Sequence, residues 1–285
     1  MAADSATSPT IGIIAGGGVL PFAAADAIRK RGAEPFLFAI RGFCDPERVK
    51  AFRHHWVALG QFGRLTRLMR AENCRDIVFI GGLVRPALSE IRLDLGTLRI
   101  IPKIARAMRG GDDHLLTGIG NIFEEHGFRL VGIKDVAPEL LMPEGSITQR
   151  SPDEQMQADI AKGRELLAAL GPYDVGQAVV VIDGHAVGIE DIEGTDGLLA
   201  RVARLRAEGR IRSKQGRGVL VKAPKAGQDL RFDLPTFGPK TVDGLIAAGL
   251  AGAGIAAGQA LVAEPQLVIE KADRAGLSIV GMPAR

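Results

Sequence analysis

The first eighty residues alternate between short apolar runs and helix-like segments, and that alternation leaves few folds open. Ile11–Ile14, Pro35–Ile40 and Ile77–Ile80 have the length and character of buried strands. Between them, Pro21–Arg31 places Phe22, Ala25 and Ile28 at helical spacing, and Arg64–Ala71 reads as a second helix. Strand, helix, strand, helix, strand implies a parallel sheet that takes ligands at its strand C-termini. A basic helix near Pro102–Arg109 and another near His114–His126 follow. Pro138–Pro152, with three prolines, reads as a linker.

Beyond that linker the pattern changes. Pro152–Leu170 reads as a helix with Ser151 as its cap. Gln177–Ile182, Ala186–Ile189, Val219–Lys222, Leu230–Asp233, Ala260–Ala263 and Leu277–Val280 read as short strands with few helices between them. The expected fold class is therefore α/β: a Rossmann-like, parallel-sheet N-terminal domain over residues 1–140, then an α+β domain over residues 141–285.

Composition narrows the function. The chain has 285 residues and a net charge of +3, from 36 basic and 33 acidic side chains, which does not point to nucleic acid. Cys44 and Cys74 form no CxxC, and the five histidines show no zinc-ligand spacing. Residues 1–10 read as a loose polar tail without a signal peptide. Leu245–Ala263 carries no charge, yet its Ala and Gly offer little transfer free energy to a membrane. It reads as a buried helix, a glycine turn and a strand.

Gly16-Gly17-Gly18 follows a strand and precedes a helix, where backbone N–H groups and the helix dipole favour phosphate. Pro21 stands where a dinucleotide fingerprint needs its third glycine. The second strand ends in Arg41 rather than the acid that grips a nicotinamide ribose. Gly81-Gly82 holds the matching position after the next strand. Gly111-Asp112-Asp113 suits a helix cap better than a ligand site.

Two clusters carry chemistry. Glu190–Asp196, EDIEGTD, brings four carboxylates and a hydroxyl to a strand-to-helix junction, as a Mg²⁺ seat or as ordinary caps. Lys222–Gly238, KAPKAGQDLRFDLPTFG, combines Lys222, Lys225, Gln228, Asp229, Arg231 and Asp233. Three cations with carboxylates and an amide can hold a polyanion while a carboxylate binds metal or orients water. With 230–233 as a strand, Arg231 and Asp233 would share one face.

The segments Ile11–Pro21, Gly111–Leu116, Gly176–Val180, Glu193–Asp196 and Lys222–Gly238, in this order, resemble the UDP-2,3-diacylglucosamine pyrophosphatases of the LpxI type over nearly the whole chain. That family often carries Gly-Asn where this chain has Gly81-Gly82. The resemblance implies a lipid A pathway hydrolase that splits UDP-2,3-diacylglucosamine into UMP and 2,3-diacylglucosamine 1-phosphate with a divalent metal, Mg²⁺ or Mn²⁺. It implies a UDP-binding N-terminal domain and a catalytic, acyl-sugar phosphate-binding C-terminal domain. Asp233 matches the family's catalytic carboxylate, with Asp233, Asp229 and Glu193 as the expected metal ligands. Gly16, Gly17, Gly18, Gly81, Gln177, Thr195, Asp196, Lys222, Lys225, Gln228 and Arg231 are the expected substrate contacts. The expected location is cytoplasmic, peripheral at the inner membrane, where Lys103, Arg106 and Arg109 beside Ile104 and Met108 would face anionic headgroups. The reading leaves room for a homodimer and gives no role to nucleic acid. A nicotinamide-dependent oxidoreductase and a non-enzymatic nucleotide sensor are the competing readings.

Overall fold

The structure is a computed structural model that describes residues 9–82, 92–107, 112–173, 175–225, 227–232 and 234–283, with the backbone alone for 112–115. Asp233 and Arg109 lie outside the described residues. The chain divides into two units, residues 1–139 with 229–233, and residues 140–228 with 234–285.

The first unit runs through β1 (Thr10–Ala15), α1 (Leu20–Lys30), β2 (Glu34–Ile40), α2 (Pro46–Val49), β3 (His54–Val57), α3 (Phe62–Ala71), β4 (Asp76–Ile80), α4 (Leu95–Ala107), α5 (Asp112–Glu125), β5 (Arg129–Leu130) and α6 (Ile133–Val136). Its sheet has the order β3-β2-β1-β4-β5 and is parallel throughout. Central parallel strands are covered on both faces, so β1 and β2 are near-continuous apolar runs. Pro21 sits in the first turn of α1, where its missing N–H costs nothing, and Arg29 and Lys30 occupy the last turn, where the helix dipole favours cations.

Two expectations are corrected in this unit. The run Ile77–Ile80 is the fourth strand, because His54–Val57 is an edge strand whose two histidines hide it among polar residues. The basic helix begins at Leu95 and carries Pro102 inside it. Asp94 makes the early start feasible: its carboxylate accepts from Thr97 N at 2.8 Å, and from Gly63 N at 3.2 Å and Arg64 N at 2.8 Å in α3. One carboxylate thus caps two helices. Burial raises its pKa, but the hydrogen bonds from Thr97, Arg64 and Gly63 outweigh this and hold it below the ordinary carboxylate range.

The second unit contains β6 (Gly145–Ser146), α7 (Glu154–Leu170), β7 (Ala178–Ile182), β8 (His185–Ile189), α8 (Gly194–Ala207), β9 (Val219–Lys222), β10 (Thr236–Phe237), α9 (Pro239–Ala247), β11 (Gly252–Ala256), β12 (Leu261–Val262), α10 (Pro265–Arg274) and β13 (Ser278–Met282). Its main sheet runs β6-β13-β11-β9-β7-β8, and β10 pairs with β12 separately. β9, β11 and β13 are parallel, while β7 turns antiparallel to β9 and β8 antiparallel to β7. The cap of α7 is Asp153, which accepts from Met156 N at 2.8 Å, not Ser151. The charge-free stretch 245–263 is divided between the end of α9, β11 and β12. No helix among the described residues is long and apolar enough to cross a membrane.

Residues 229–233 leave the second unit and belong to the first. The expected strand at 230–233 is a turn over Leu230–Phe232. The cause is local. Asp229 accepts from Arg231 N at 3.0 Å and binds the Arg231 guanidinium, which closes the backbone on itself. Phe232 then packs within the first unit's aromatic cluster, 5.3 Å from Phe79 and against Gly120, where any larger residue would collide with the ring. Such an aromatic pair contributes about 0.5–1.5 kcal/mol beyond its buried area.

Candidate active site

Three strand ends meet on one edge of the second unit's sheet. Ala178, the first residue of β7, pairs with Lys222, the last of β9, and Val179 pairs with Ile189, the last of β8. This register brings together Gln177 before β7, Glu190 after β8 and Lys222. The backbone reinforces the junction, with Glu190 N donating to Ala178 O at 2.8 Å and Ala223 N to Gln177 O at 3.0 Å. Gly176 is required here, because a Cβ would stand 2.5 Å from the Glu190 carbonyl oxygen and 2.7 Å from its Cβ.

The side chains at this edge form a continuous relay. Lys222 Nζ donates to Thr195 Oγ1 at 2.6 Å, and Thr195 donates to Glu190 Oε1 at 2.7 Å. Glu190 Oε2 accepts from Gln177 N at 2.7 Å. Gln177 Nε2 donates to Gln228 Oε1 at 3.0 Å, and the same oxygen accepts from Lys225 N at 3.0 Å. Lys222 and Glu190 are both buried. A buried cation and a buried carboxylate joined through a hydroxyl satisfy one another and hold the ammonium in one place. Five expected contacts, Gln177, Thr195, Lys222, Lys225 and Gln228, therefore fall into one network.

Glu190 organises that network, yet sequence reading did not select it from the acids of EDIEGTD. The fold separates them. Glu193 binds Arg201, whose Nε lies 3.0 Å away, and Asp196 pairs with Lys240 at 2.7 Å on the surface. Neither joins the relay among the described contacts. Thr195 and Asp196 are not caps either; Glu193 holds the N-cap position of α8 without a side-chain cap bond.

In the first unit, Arg231 is held by two acids. Its Nε and Nη2 reach Asp229 at 3.0 and 2.8 Å, and its Nη1 reaches Glu124 at 3.0 Å. The Arg231 guanidinium hydrogen-bonds Asp229 and holds its carboxyl below the ordinary range against the effect of burial. A phosphate arriving at Arg231 would exchange with carboxylates rather than meet a bare cation. That exchange is feasible, because the guanidinium is part-exposed and charge-assisted bonds to phosphate replace similar bonds to carboxylate.

The glycine turns lie after β1 and β4, neighbouring strands at the point where the sheet order reverses. They are bonded to each other. Gly16 N donates to Ile80 O at 2.9 Å, Gly17 N to Gly82 O at 2.8 Å, and Gly82 N to Gly17 O at 3.0 Å. Gly81 has φ +102°, and a Cβ there would lie 2.7 Å from Gly17 O and 2.8 Å from Gly16 C. Gly16, Gly17 and Gly81 thus allow two backbone turns to touch, with the Gly16 and Gly17 N–H groups engaged by carbonyls. Gly18, at φ +89° with open space around its missing side chain, begins the part of the loop nearest the N-terminus of α1.

Among the described residues, no three His, Cys, Asp or Glu side chains form a group that could hold a metal ion. Asp229 is engaged by Arg231 and Glu193 by Arg201. Mg²⁺ needs oxygen ligands with lone pairs to spare.

Comparison with known proteins covers both units. Residues 10–140 match the family model for the LpxI N-terminal domain, and residues 143–280 match that for the LpxI C-terminal domain. Over 272 residues the chain is 38% identical to the Caulobacter vibrioides protein described as UDP-2,3-diacylglucosamine pyrophosphatase LpxI, covering 95% of this chain and 97% of that one. A solved structure of glycinamide-RNase-transformylase T from Mycobacterium tuberculosis aligns with a TM-score of 0.24 and 14% identity, over 63% of this chain and 43% of the other, which carries no argument.

Proposed function

The chain belongs to the LpxI family, and from that premise we propose that it hydrolyses the pyrophosphate bond of UDP-2,3-diacylglucosamine, giving UMP and 2,3-diacylglucosamine 1-phosphate for lipid A synthesis. The observation that carries this reading is the 38% identity to a named pyrophosphatase across 95% of the chain, which includes both units.

The chemistry of the relay supports it. Water adds to one phosphorus, the bridging oxygen leaves with the other phosphate, and negative charge grows on non-bridging oxygens. A buried ammonium fixed by Thr195 and Glu190 is preorganised to offset such charge. Gln177, Gln228 and Lys225 would orient the sugar phosphate, Arg231 would receive a phosphate by exchange, and Asp233 would orient the attacking water. The first unit would hold the uridine nucleotide near Gly18 and the start of α1. The oxidoreductase alternative finds no acid at the end of β2, where Arg41 lies over the Trp56 ring at 5.9 Å.

We further propose a cytoplasmic enzyme at the inner-membrane surface, because a diacylated substrate resides in a bilayer. Dependence on Mg²⁺ or Mn²⁺ is likewise a proposal, drawn from the family resemblance rather than from the described carboxylates. Incubation of the purified chain with UDP-2,3-diacylglucosamine, with products separated and weighed by mass spectrometry, tests the activity; absence of UMP would refute it.

A further inference from the structure

Among the described residues, the large exposed apolar side chains of the first unit are gathered in one place. Leu93, Leu95, Leu98 and Ile101 are 55%, 76%, 49% and 40% exposed, within nine residues of sequence. In the second unit, the large exposed apolar residues Tyr173, Ile192, Ile246 and Leu267 are far apart in sequence. Single exposed apolar residues are ordinary, but a run of them on one helix face marks an interaction surface.

The geometry of α4 explains which face this is. At about 100° per residue, Thr97, Ile100, Ile104 and Ala107 point one way with Gly96 beside them, and these are its buried or half-buried positions. Leu95, Leu98 and Ile101 form a row on the open side, with Pro102 and Ala105 beside them. Arg99, Lys103 and Arg106 form the adjoining margin. The helix LGTLRIIPKIARA contains no acid. Lys103 pairs with Glu125 of α5, whereas Arg99 and Arg106 stand on the exposed side.

We propose that this face of α4 seats the protein on an anionic lipid surface, with Leu95, Leu98 and Ile101 entering the acyl boundary and Arg99 and Arg106 meeting headgroup phosphates. An apolar row bordered by cations is the pattern of a helix lying in the bilayer interface. The charge pattern selects this occupant over a second copy of the chain, since two such faces would bring cations against cations. The proposal rests on the peripheral-membrane reading above and names its surface, adding an apolar contact to the expected cation stripe. Ile104, expected beside that stripe, is half-buried on the opposite side of the helix.

The test is flotation of the full chain with vesicles of phosphatidylethanolamine containing or lacking phosphatidylglycerol. Leu95→Ser with Leu98→Ser, and Arg99→Gln with Arg106→Gln, are compared with wild type after thermal melts show equal folding. Wild type should float with anionic vesicles at low salt, and each double variant should lose about tenfold or more of that binding. All three proteins should hydrolyse a short-chain, water-soluble substrate analogue equally. No wild-type flotation, or variants that float like wild type, would overturn the surface. A wild-type dimer in sedimentation velocity that Leu95→Ser with Leu98→Ser dissociates would overturn it in favour of self-association. Flotation of a wild type that cannot hydrolyse the soluble analogue would overturn the activity and leave the lipid surface supported.

Discussion

Lys222 and Thr195 are 2.6 Å apart, ammonium to hydroxyl, at the edge where β9 ends and α8 begins. Thr195 donates its own proton to Glu190, so the position of the ammonium depends on a carboxylate it does not touch in that relay. Lys222→Met should cost on the order of 10²-fold or more in kcat/KM if the ammonium offsets developing charge. Thr195→Ala should cost about tenfold in kcat, and Thr195→Ser should restore most of it, since the hydroxyl alone carries the relay. A Ser variant as impaired as Ala, in steady-state kinetics, would assign Thr195 to packing.

Glu190→Gln keeps the volume but turns an acceptor into a donor. Its amide can accept from Thr195 or from Gln177 N at one oxygen, leaving the other donor unmet at about 1–3 kcal/mol. A lower melting temperature together with reduced kcat is expected, and calorimetry with kinetics on the same preparation checks both. A loss of stability with kcat intact would remove Glu190 from the positioning of Lys222.

The paired glycine turns separate two kinds of strain. Gly81→Ala would meet backbone at 2.7 Å and hold an alanine at φ +102°, so a loss of roughly 2–5 kcal/mol is expected. Gly18→Ala meets nothing within 4 Å and should cost only about 1 kcal/mol for its φ of +89°. Urea unfolding compares them, and equal losses would contradict the account of Gly81.

How far the sequence revealed these features varied with their physical origin. β1, β2 and β4 were readable because their apolar runs are nearly unbroken, and α1 because its buried Phe22, Ala25 and Ile28 recur at helical spacing. β3 was not, because an edge strand tolerates His54 and His55. The start of α4 was hidden by Gly96 and Pro102, and its cap by Asp94 serving a second helix 31 residues away. Lys222, Thr195 and Gln177 were readable as chemistry at strand ends. Glu190 was not, because its neighbours carry the same charge and only the strand register of β7 and β8 turns one of the acids inward. The turn at 230–232 was hidden because the Asp229–Arg231 pairing competes with strand propensity from within the same short segment.

Asp229 gives a pH signature. Hydrogen bonding and attraction from Arg231, opposed by burial, hold its folded carboxyl below the ordinary aspartate value of about 3.9 that it has in the unfolded chain. A depressed folded value contributes stability that is present above that pH and is lost as pH falls through the folded value. Asp229→Asn should therefore be less stable than wild type near neutral pH and converge with it in acid below about pH 4. Unfolding midpoints measured from acid to neutral pH check this, and a constant difference at every pH would contradict it.

Metal dependence is separable from the carboxylates described. EDTA should stop UMP release, and Mg²⁺ or Mn²⁺ should restore it. Full turnover in chelator would remove the metal from the proposed function.

The central claim is pyrophosphate hydrolysis with Asp233 as the catalytic carboxylate, and one paired assay tests it most directly. Wild type and Asp233→Ala are given UDP-2,3-diacylglucosamine in detergent, and UMP release and substrate affinity are measured together. The account predicts UMP and 2,3-diacylglucosamine 1-phosphate from wild type, and a variant that binds substrate but turns over on the order of 10²-fold more slowly. Wild type that releases no UMP, or a variant within a few-fold of wild type, would contradict it.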